Sequence, residues 1–121
     1  MQEKTKGLAK RKMTDAHLEE AARLFAILAE SSRLKLLRAL MDGQCTVTAL
    51  MATTGMRQAN ISKHLGVLLG ARFVKRERDG LFVRYTISDA RLATLCGLIC
   101  DRIDADAQHR IAELKPGKRV R

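Results

Sequence analysis

The sequence predicts a mainly α-helical domain with one small β-hairpin, in the order α-α-α-α-β-β-α. Three observations support this prediction. Apolar residues recur at helical spacing over most of the chain. Gly55 interrupts that spacing in the middle, where a turn needs its conformational freedom. Two strand-like runs, 73–78 and 81–87, flank Asp79-Gly80, a dipeptide that favours a tight hairpin turn.

Two helices are predicted before this central region. Thr14 is a candidate N-cap for a first helix that extends to about Glu30. Ser32 can cap a second helix, and Gly43 is expected to end it in a left-handed conformation. Each helix carries one apolar stripe, formed by Leu18, Ala21, Ala22, Phe25, Leu28 and Ala29 in the first and by Leu34, Leu37, Leu40 and Met41 in the second.

The central region reads as a helix-turn-helix followed by the hairpin, which together make a winged helix. A short helix with Val47, Leu50 and Met51 ends at Gly55, and a second helix buries Ile61, Leu65, Leu68 and Leu69. The other face of that second helix carries side chains that hydrogen-bond base edges and phosphates, namely Arg57, Gln58, Asn60, Ser62, Lys63 and His64. From the hairpin we expect Arg76, Arg78 and Arg84 to meet phosphate or the minor groove. The pattern therefore indicates binding to double-stranded DNA.

A long last helix is predicted from Ser88 or Asp89 to about Leu114, where Pro116-Gly117 stops it. Neither the first nor the last helix is needed to build a winged-helix core, yet both are amphipathic. Exposed apolar stripes of that length would be a liability on a monomer. We therefore predict a homodimer formed through the first and last helices, which would also place two DNA-reading helices about one DNA turn apart.

The net charge of +10 is unevenly distributed along the chain. Residues 57–84 carry seven basic and two acidic residues, whereas residues 16–56 carry four of each. The remaining excess lies in two predicted tails, residues 1–13 and 115–121, on either side of one domain over residues 14–114. Basic residues placed in this way release counterions from DNA phosphates.

Composition narrows the function classes. No run of 18 apolar residues exists, and the charged start of the chain is followed by no apolar stretch, so neither a membrane span nor a secretory signal is predicted. Three cysteines argue against a disulfide-stapled secreted protein, and we expect a cytoplasmic one. No phosphate-binding loop or metallohydrolase motif is present, so an enzyme is not expected.

Two stretches resemble the ArsR/SmtB family of bacterial repressors. QANISKHLGVLLGA is similar to the family's DNA-reading helix, and RDGLFVRYTISD is similar to its wing. The resemblance extends over about residues 17–113 and implies a homodimer that represses an operon until an inducer binds. One departure is Arg57, where the family usually has a serine N-cap; its loss weakens the cap by ~1 kcal/mol.

The resemblance also implies that cysteine or histidine side chains receive the inducer, a metal or metalloid ion or a reactive sulfur or oxidant species. The family's third-helix cysteine motif falls here on Thr46 and Thr48, and its persulfide-sensing cysteine falls on Arg38. The zinc-ligand pattern of its last helix is not reproduced either. None of the family's sensor patterns is therefore met in full.

The remaining candidates are Cys96 and Cys100 on the last helix, with Cys45 as a third donor. An i, i+4 pair shares one helix face, with Cβ atoms about 5–6 Å apart. That spacing disfavours a direct disulfide but suits two thiolates on a soft ion such as As(III), Cd(II) or Pb(II), or a polysulfide bridge. Two alternatives stay open: cysteines that only pack as apolar residues, and a protein that binds DNA without any effector.

Overall fold

The computed structural model describes residues 12–113, which form five helices and one two-stranded antiparallel sheet. Helices α1 (Asp15–Leu28), α2 (Ser31–Met41), α3 (Val47–Thr54) and α4 (Gln58–Gly70) come first. Strands β1 (Val74–Asp79) and β2 (Phe82–Ile87) follow, and α5 (Arg91–Glu113) is last. This order confirms the predicted one. Most of both predicted tails, and the predicted end of the last helix at Leu114, lie outside the described residues.

The core lies between α2, α3, α4 and the hairpin. Six of its side chains are essentially inaccessible to solvent: Leu36, Leu37, Leu50, Ile61, Leu65 and Leu68. Val74 and Tyr85 cover this cluster from the two strands, whereas α1 and α5 contribute only Leu28 and Leu92 to the buried set. The helix-turn-helix and its wing therefore pack as one unit. Helix α1 packs on this unit near its C-terminal end, through Leu28, and α5 packs on it near its N-terminal end, through Leu92.

Helix starts follow local side-chain chemistry. Thr14 caps α1 as predicted: its hydroxyl accepts the backbone N–H of His17, and the imidazole of His17 accepts the N–H of Thr14 in return. The prediction that Ser32 caps α2 is wrong, because the carboxylate of Glu30 accepts the backbone N–H groups of Ser32 and Arg33. These bonds, above all the one from Arg33, lower the pKa of Glu30 below its usual value.

Glycines with positive φ mark three of the turns. Gly55 (φ +75°) ends α3 in the left-handed conformation, as predicted. The hairpin turn lies one residue later than expected, because Asp79 pairs with Phe82 and leaves Gly80 and Leu81 as the two loop residues. Gly80 supplies the positive φ (+63°) that the first loop position needs. At the end of α2, Asp42 is the C-cap and Gly43 follows it with a φ of +142°.

Candidate nucleic-acid interface and cysteine pair

The exposed face of α4 brings together most of the predicted DNA-reading side chains. Gln58, Asn60, Ser62 and Lys63 are all exposed, and Arg57 precedes them without using its side chain as a cap. The core side of the same helix is formed by residues three and four positions apart, Ile61, Leu65 and Leu68. The predicted polar face is therefore open along the first two turns of α4.

Ala59 also lies on this open face and was missed by the sequence prediction. At 100° per residue it falls between Ser62 and Lys63, near the middle of the exposed arc. Its methyl group carries no polar signal, so a search for hydrogen-bonding side chains passes over it. A small apolar side chain at this place can contact a thymine methyl group.

His64 does not lie on the open face, so the prediction that it contacts DNA is wrong. The side chain is 5% exposed and lies on the core side of α4 with Ile61 and Leu68. Its Nδ1 is 3.2 Å from Nη1 of Arg33 in α2. Because a guanidinium only donates, His64 accepts through Nδ1. The physical reason for the burial is position: residues 61, 64, 65 and 68 occupy one continuous side of a helix.

Arg33 connects three helices through this contact. Its Nε donates to the carbonyl oxygen of Ile27 near the end of α1 at 2.6 Å, while Nη1 donates to His64 in α4. Both bonds are partly buried, so water competes with them poorly. The orientation of α4 is therefore tied to the junction of α1 and α2.

The hairpin divides its three candidate arginines between two faces. Opposite residues in an antiparallel pair share a face, so Arg76 and Arg78 lie on the side of Tyr85 and Val83. Arg84 lies on the other side, opposite Glu77. Arg76 and Arg78 are exposed. These two arginines are consequently the better placed to meet phosphates.

Arg84 is engaged within the wing. Its Nε lies 3.3 Å from the carboxylate of Asp79, and its guanidinium lies 6.0 Å from the ring centroid of Phe82. The pair is half-exposed, so it adds little stability. The ion pair with Asp79 instead fixes the direction of the Arg84 side chain, which lies against the tip of the hairpin.

The cysteine pair lies on α5, where Cys96 is half-buried and Cys100 is exposed. Burial raises the pKa of the Cys96 thiol, and the charge of Cys100 raises it further. A ligand that needs two thiolates must therefore displace a proton held more firmly than usual. The pair is accessible, and its two thiols influence each other.

Cys45 lies apart from this pair. Its backbone N–H and C=O both bond to Tyr85 of β2, at 3.0 and 2.8 Å, and its thiol points to the carbonyl of Gly43 at 3.6 Å. Among residues 12–113 no three His, Cys, Asp or Glu side chains are placed to hold a metal ion. The predicted use of Cys45 as a third donor is therefore not realised within one described protomer, because the sheet-like pairing fixes it beside the wing.

Across the described part of the chain, no helix combines the length and the apolar character that crossing a bilayer requires.

Comparison with known proteins places this geometry in a family. The profile described as "Bacterial regulatory protein, arsR family" matches residues 30–76. A probable mercury resistance operon repressor of Streptomyces lividans is 35% identical over 88 residues, which cover 73% of this chain and 70% of that protein. The HTH-type transcriptional regulator CmtR of Mycobacterium tuberculosis is 40% identical over 76 residues, covering 63% of this chain and 64% of CmtR.

Solved structures agree with the sequence relatives. The crystal structure of the AntR antimony-specific transcriptional repressor superposes with a TM-score of 0.73 at 33% identity, covering 84% of this chain and 94% of AntR. The winged helix-turn-helix DNA-binding domain of Mb0332 from Mycobacterium bovis superposes with a TM-score of 0.71 at 30% identity, covering 80% and 93%. The chain thus belongs to the arsR family of bacterial regulatory proteins and is a winged-helix transcriptional regulator of the ArsR/SmtB type.

Proposed function

We propose that the protein is a homodimeric repressor that binds operator DNA and is released by a thiol-reactive inducer at Cys96 and Cys100. The observation that carries DNA binding is the open face of α4, with Gln58, Asn60, Ser62 and Lys63 exposed beside the arginines of the wing. The stretch that holds them, residues 57–84, has seven basic and two acidic residues. Lys63 and Arg57 would meet phosphates, and Gln58 and Asn60 would read base edges.

Exposed apolar side chains on the outer helices support the homodimer. They are Leu18 and Phe25 on α1 and Leu98, Ile99, Ile103 and Ile111 on α5. Isolated apolar residues at a surface are ordinary, but a series along one 23-residue helix is a surface for a partner. The related Mb0332 domain is homodimeric in solution. A second copy is the partner that fits, since two-fold pairing presents the same stripe from both sides.

The inducer would bind on this same helix. Two thiols on one face provide soft donors for an ion such as As(III), Cd(II) or Pb(II), which would displace their two protons. A polysulfide would instead bridge the two sulfur atoms: each thiolate forms an S–S bond to a sulfur of the polysulfide while S–S bonds within the polysulfide break. The displaced sulfur takes up the two electrons and the two thiol protons and leaves as hydrosulfide. The names of the mercury and antimony relatives support a metal or metalloid. A third donor would come from the other protomer or from an outside thiol.

A titration tests this proposal. Operator DNA, selected by the wild-type protein from a random duplex library, is bound to the protein and exposed in turn to As(III), Cd(II), Zn(II) and a polysulfide. We expect one soft or sulfur-based effector to release the DNA. Cys96→Ser and Cys100→Ser should each bind DNA like the wild type and lose the release. Cys45→Ser is the matched control and should respond normally.

The alternative is an effector-independent regulator whose cysteines only pack. The half-buried state of Cys96, with its raised pKa, favours this alternative. A full response of both α5 serine variants to every effector, or no response of the wild type to any, would establish it. A wild type that selects no duplex at all would reject the DNA-binding proposal itself.

A further inference from the structure

The tip of the hairpin presents two apolar side chains to solvent. Leu81 is 94% exposed and Phe82 is 59% exposed, and neither packs against the hydrophobic core. The second loop position of such a turn accepts polar residues readily, so the fold does not require a leucine there. Together Leu81 and Phe82, here called the wing tip, form an apolar end on an otherwise charged hairpin.

The charged side chains of the hairpin are divided between its two faces. Arg84 lies against the Phe82 ring and is itself held by Asp79. Glu77 stands opposite Arg84, and Lys75 lies on the same face, so two basic and two acidic side chains balance there. Arg76 and Arg78 lie on the other face, which packs on the core through Val74 and Tyr85, but both arginines are themselves exposed. The hairpin thus has a basic face, a neutral face and an apolar end.

We propose that the wing tip enters the minor groove of the bound DNA as an apolar wedge, with Arg76 and Arg78 on the adjoining phosphates. The inference rests on the proposed DNA-binding function and adds an element to it. Leucine and phenylalanine are among the side chains that part base steps from the minor groove. The groove is narrow, and its walls carry sugar atoms that an apolar end can contact, while its phosphate borders match the basic face.

Two features favour DNA over another protein as the occupant. The wing tip continues the same basic region that contains the open face of α4, with a net charge of +5 over residues 57–84. The apolar surface expected for a second copy lies instead on α1 and α5. A wedge also contributes differently from a basic side chain: it releases no counterion, so its loss leaves the salt dependence of binding unchanged.

The test uses the full-length protein and the selected duplex described above. Leu81→Ser combined with Phe82→Ser should weaken binding about tenfold, since two apolar contacts are lost. The slope of log affinity against log salt should stay at the wild-type value. Hydroxyl-radical cleavage should show lost protection in the minor groove beside the α4 contacts, with the rest of the footprint intact.

Two controls make the result specific. Leu81→Met combined with Phe82→Leu keeps an apolar tip and should bind within about threefold of the wild type. Lys63→Ala removes a phosphate contact, so it should weaken binding and reduce the salt slope by about 1. A double serine variant that binds within twofold of the wild type, with an unchanged footprint, overturns the wedge. So does a double serine variant with an altered sedimentation coefficient, because the wing tip would then contact protein. If the wild type binds no duplex, the proposed function fails first.

Discussion

The central unit, from α2 to β2, and the last helix α5 have similar apolar content but bury it differently. The central unit buries a continuous set of large apolar side chains, namely Leu36, Leu37, Leu50, Ile61, Leu65 and Leu68, whereas α5 buries only Leu92. Along α5, Leu98, Ile99 and Ile103 are more than half exposed. The hydrophobic core of the central unit is therefore complete within one protomer. The apolar side chains of α5 are buried only if a second surface packs against this helix. This comparison separates residues that stabilise the protomer from residues that assemble it.

The largest expected effect is on assembly. Ile103→Asp would place an unpaired carboxylate in the apolar contact twice, once from each protomer, and should weaken the dimer by at least ~4 kcal/mol. Sedimentation velocity over a range of concentrations should then show a folded monomer, with the circular dichroism of the wild type. Asp101→Asn, a polar exchange at an exposed position of the same helix, is the control. A dimeric Ile103→Asp protein of normal stability would mean that α5 does not form the interface.

A substitution in the central unit should act in the opposite way. Leu65→Ala opens a cavity at a side chain that is 1% exposed and should lower the free energy of unfolding by about 2–5 kcal/mol. Urea unfolding should show this loss at every protein concentration. Leu98→Ala is the matched control on α5, and its effect should grow as the concentration rises and the dimer forms. Equal, concentration-independent losses from both variants would remove the distinction between the two regions.

The link between α1 and the central unit gives the next prediction. Arg33→Ala would leave the buried Nδ1 of His64 and the Ile27 carbonyl without their donor and should lower the free energy of unfolding by about 1–3 kcal/mol. Arg38→Ala, on the same helix, breaks only the exposed ion pair with Asp42 and should change it by less than about 0.5 kcal/mol. Urea unfolding compares the two. If the two variants lower the free energy of unfolding by the same small amount, the bonds of Arg33 between α1 and α4 do not stabilise the protein.

Periodicity was sufficient to predict the elements but not every side-chain direction. Ile61, Leu65 and Leu68 identified the core side of α4 because leucine and isoleucine rarely have another role at that spacing. His64 lies on the same side, although its polar side chain predicts a place on the outer face. Its partner Arg33 is 31 positions away in the sequence, so no local pattern could reveal the contact. Strand register in the wing was also not fully predictable. The sequence predicts Asp79-Gly80 as the turn, whereas the observed pairing shifts the turn by one residue and places Leu81 in the loop.

The smallest expected effect concerns the joint between α4 and the wing. Arg72 adopts a left-handed φ of +64° there. Its N–H bonds to Leu69, and the N–H of Phe73 bonds to Leu68, both at 3.0 Å. This is the Schellman arrangement, whose left-handed position is usually glycine. The left-handed conformation costs an L-residue about 1–2 kcal/mol. Glycine avoids this cost, but it loses about 0.5–1 kcal/mol more conformational entropy than alanine when the chain folds, which offsets part of the gain.

Arg72→Gly should therefore raise the free energy of unfolding by up to about 1 kcal/mol relative to Arg72→Ala, which removes the same charge but keeps the Cβ. Urea unfolding of the two variants isolates the backbone term, because the loss of the guanidinium is common to both. DNA binding should change equally in both variants as well, since the joint would keep its shape. An alanine variant as stable as the glycine variant would show that the joint relaxes out of the left-handed region. The wing would then be less rigidly attached to α4 than the bonds of Arg72 and Phe73 indicate.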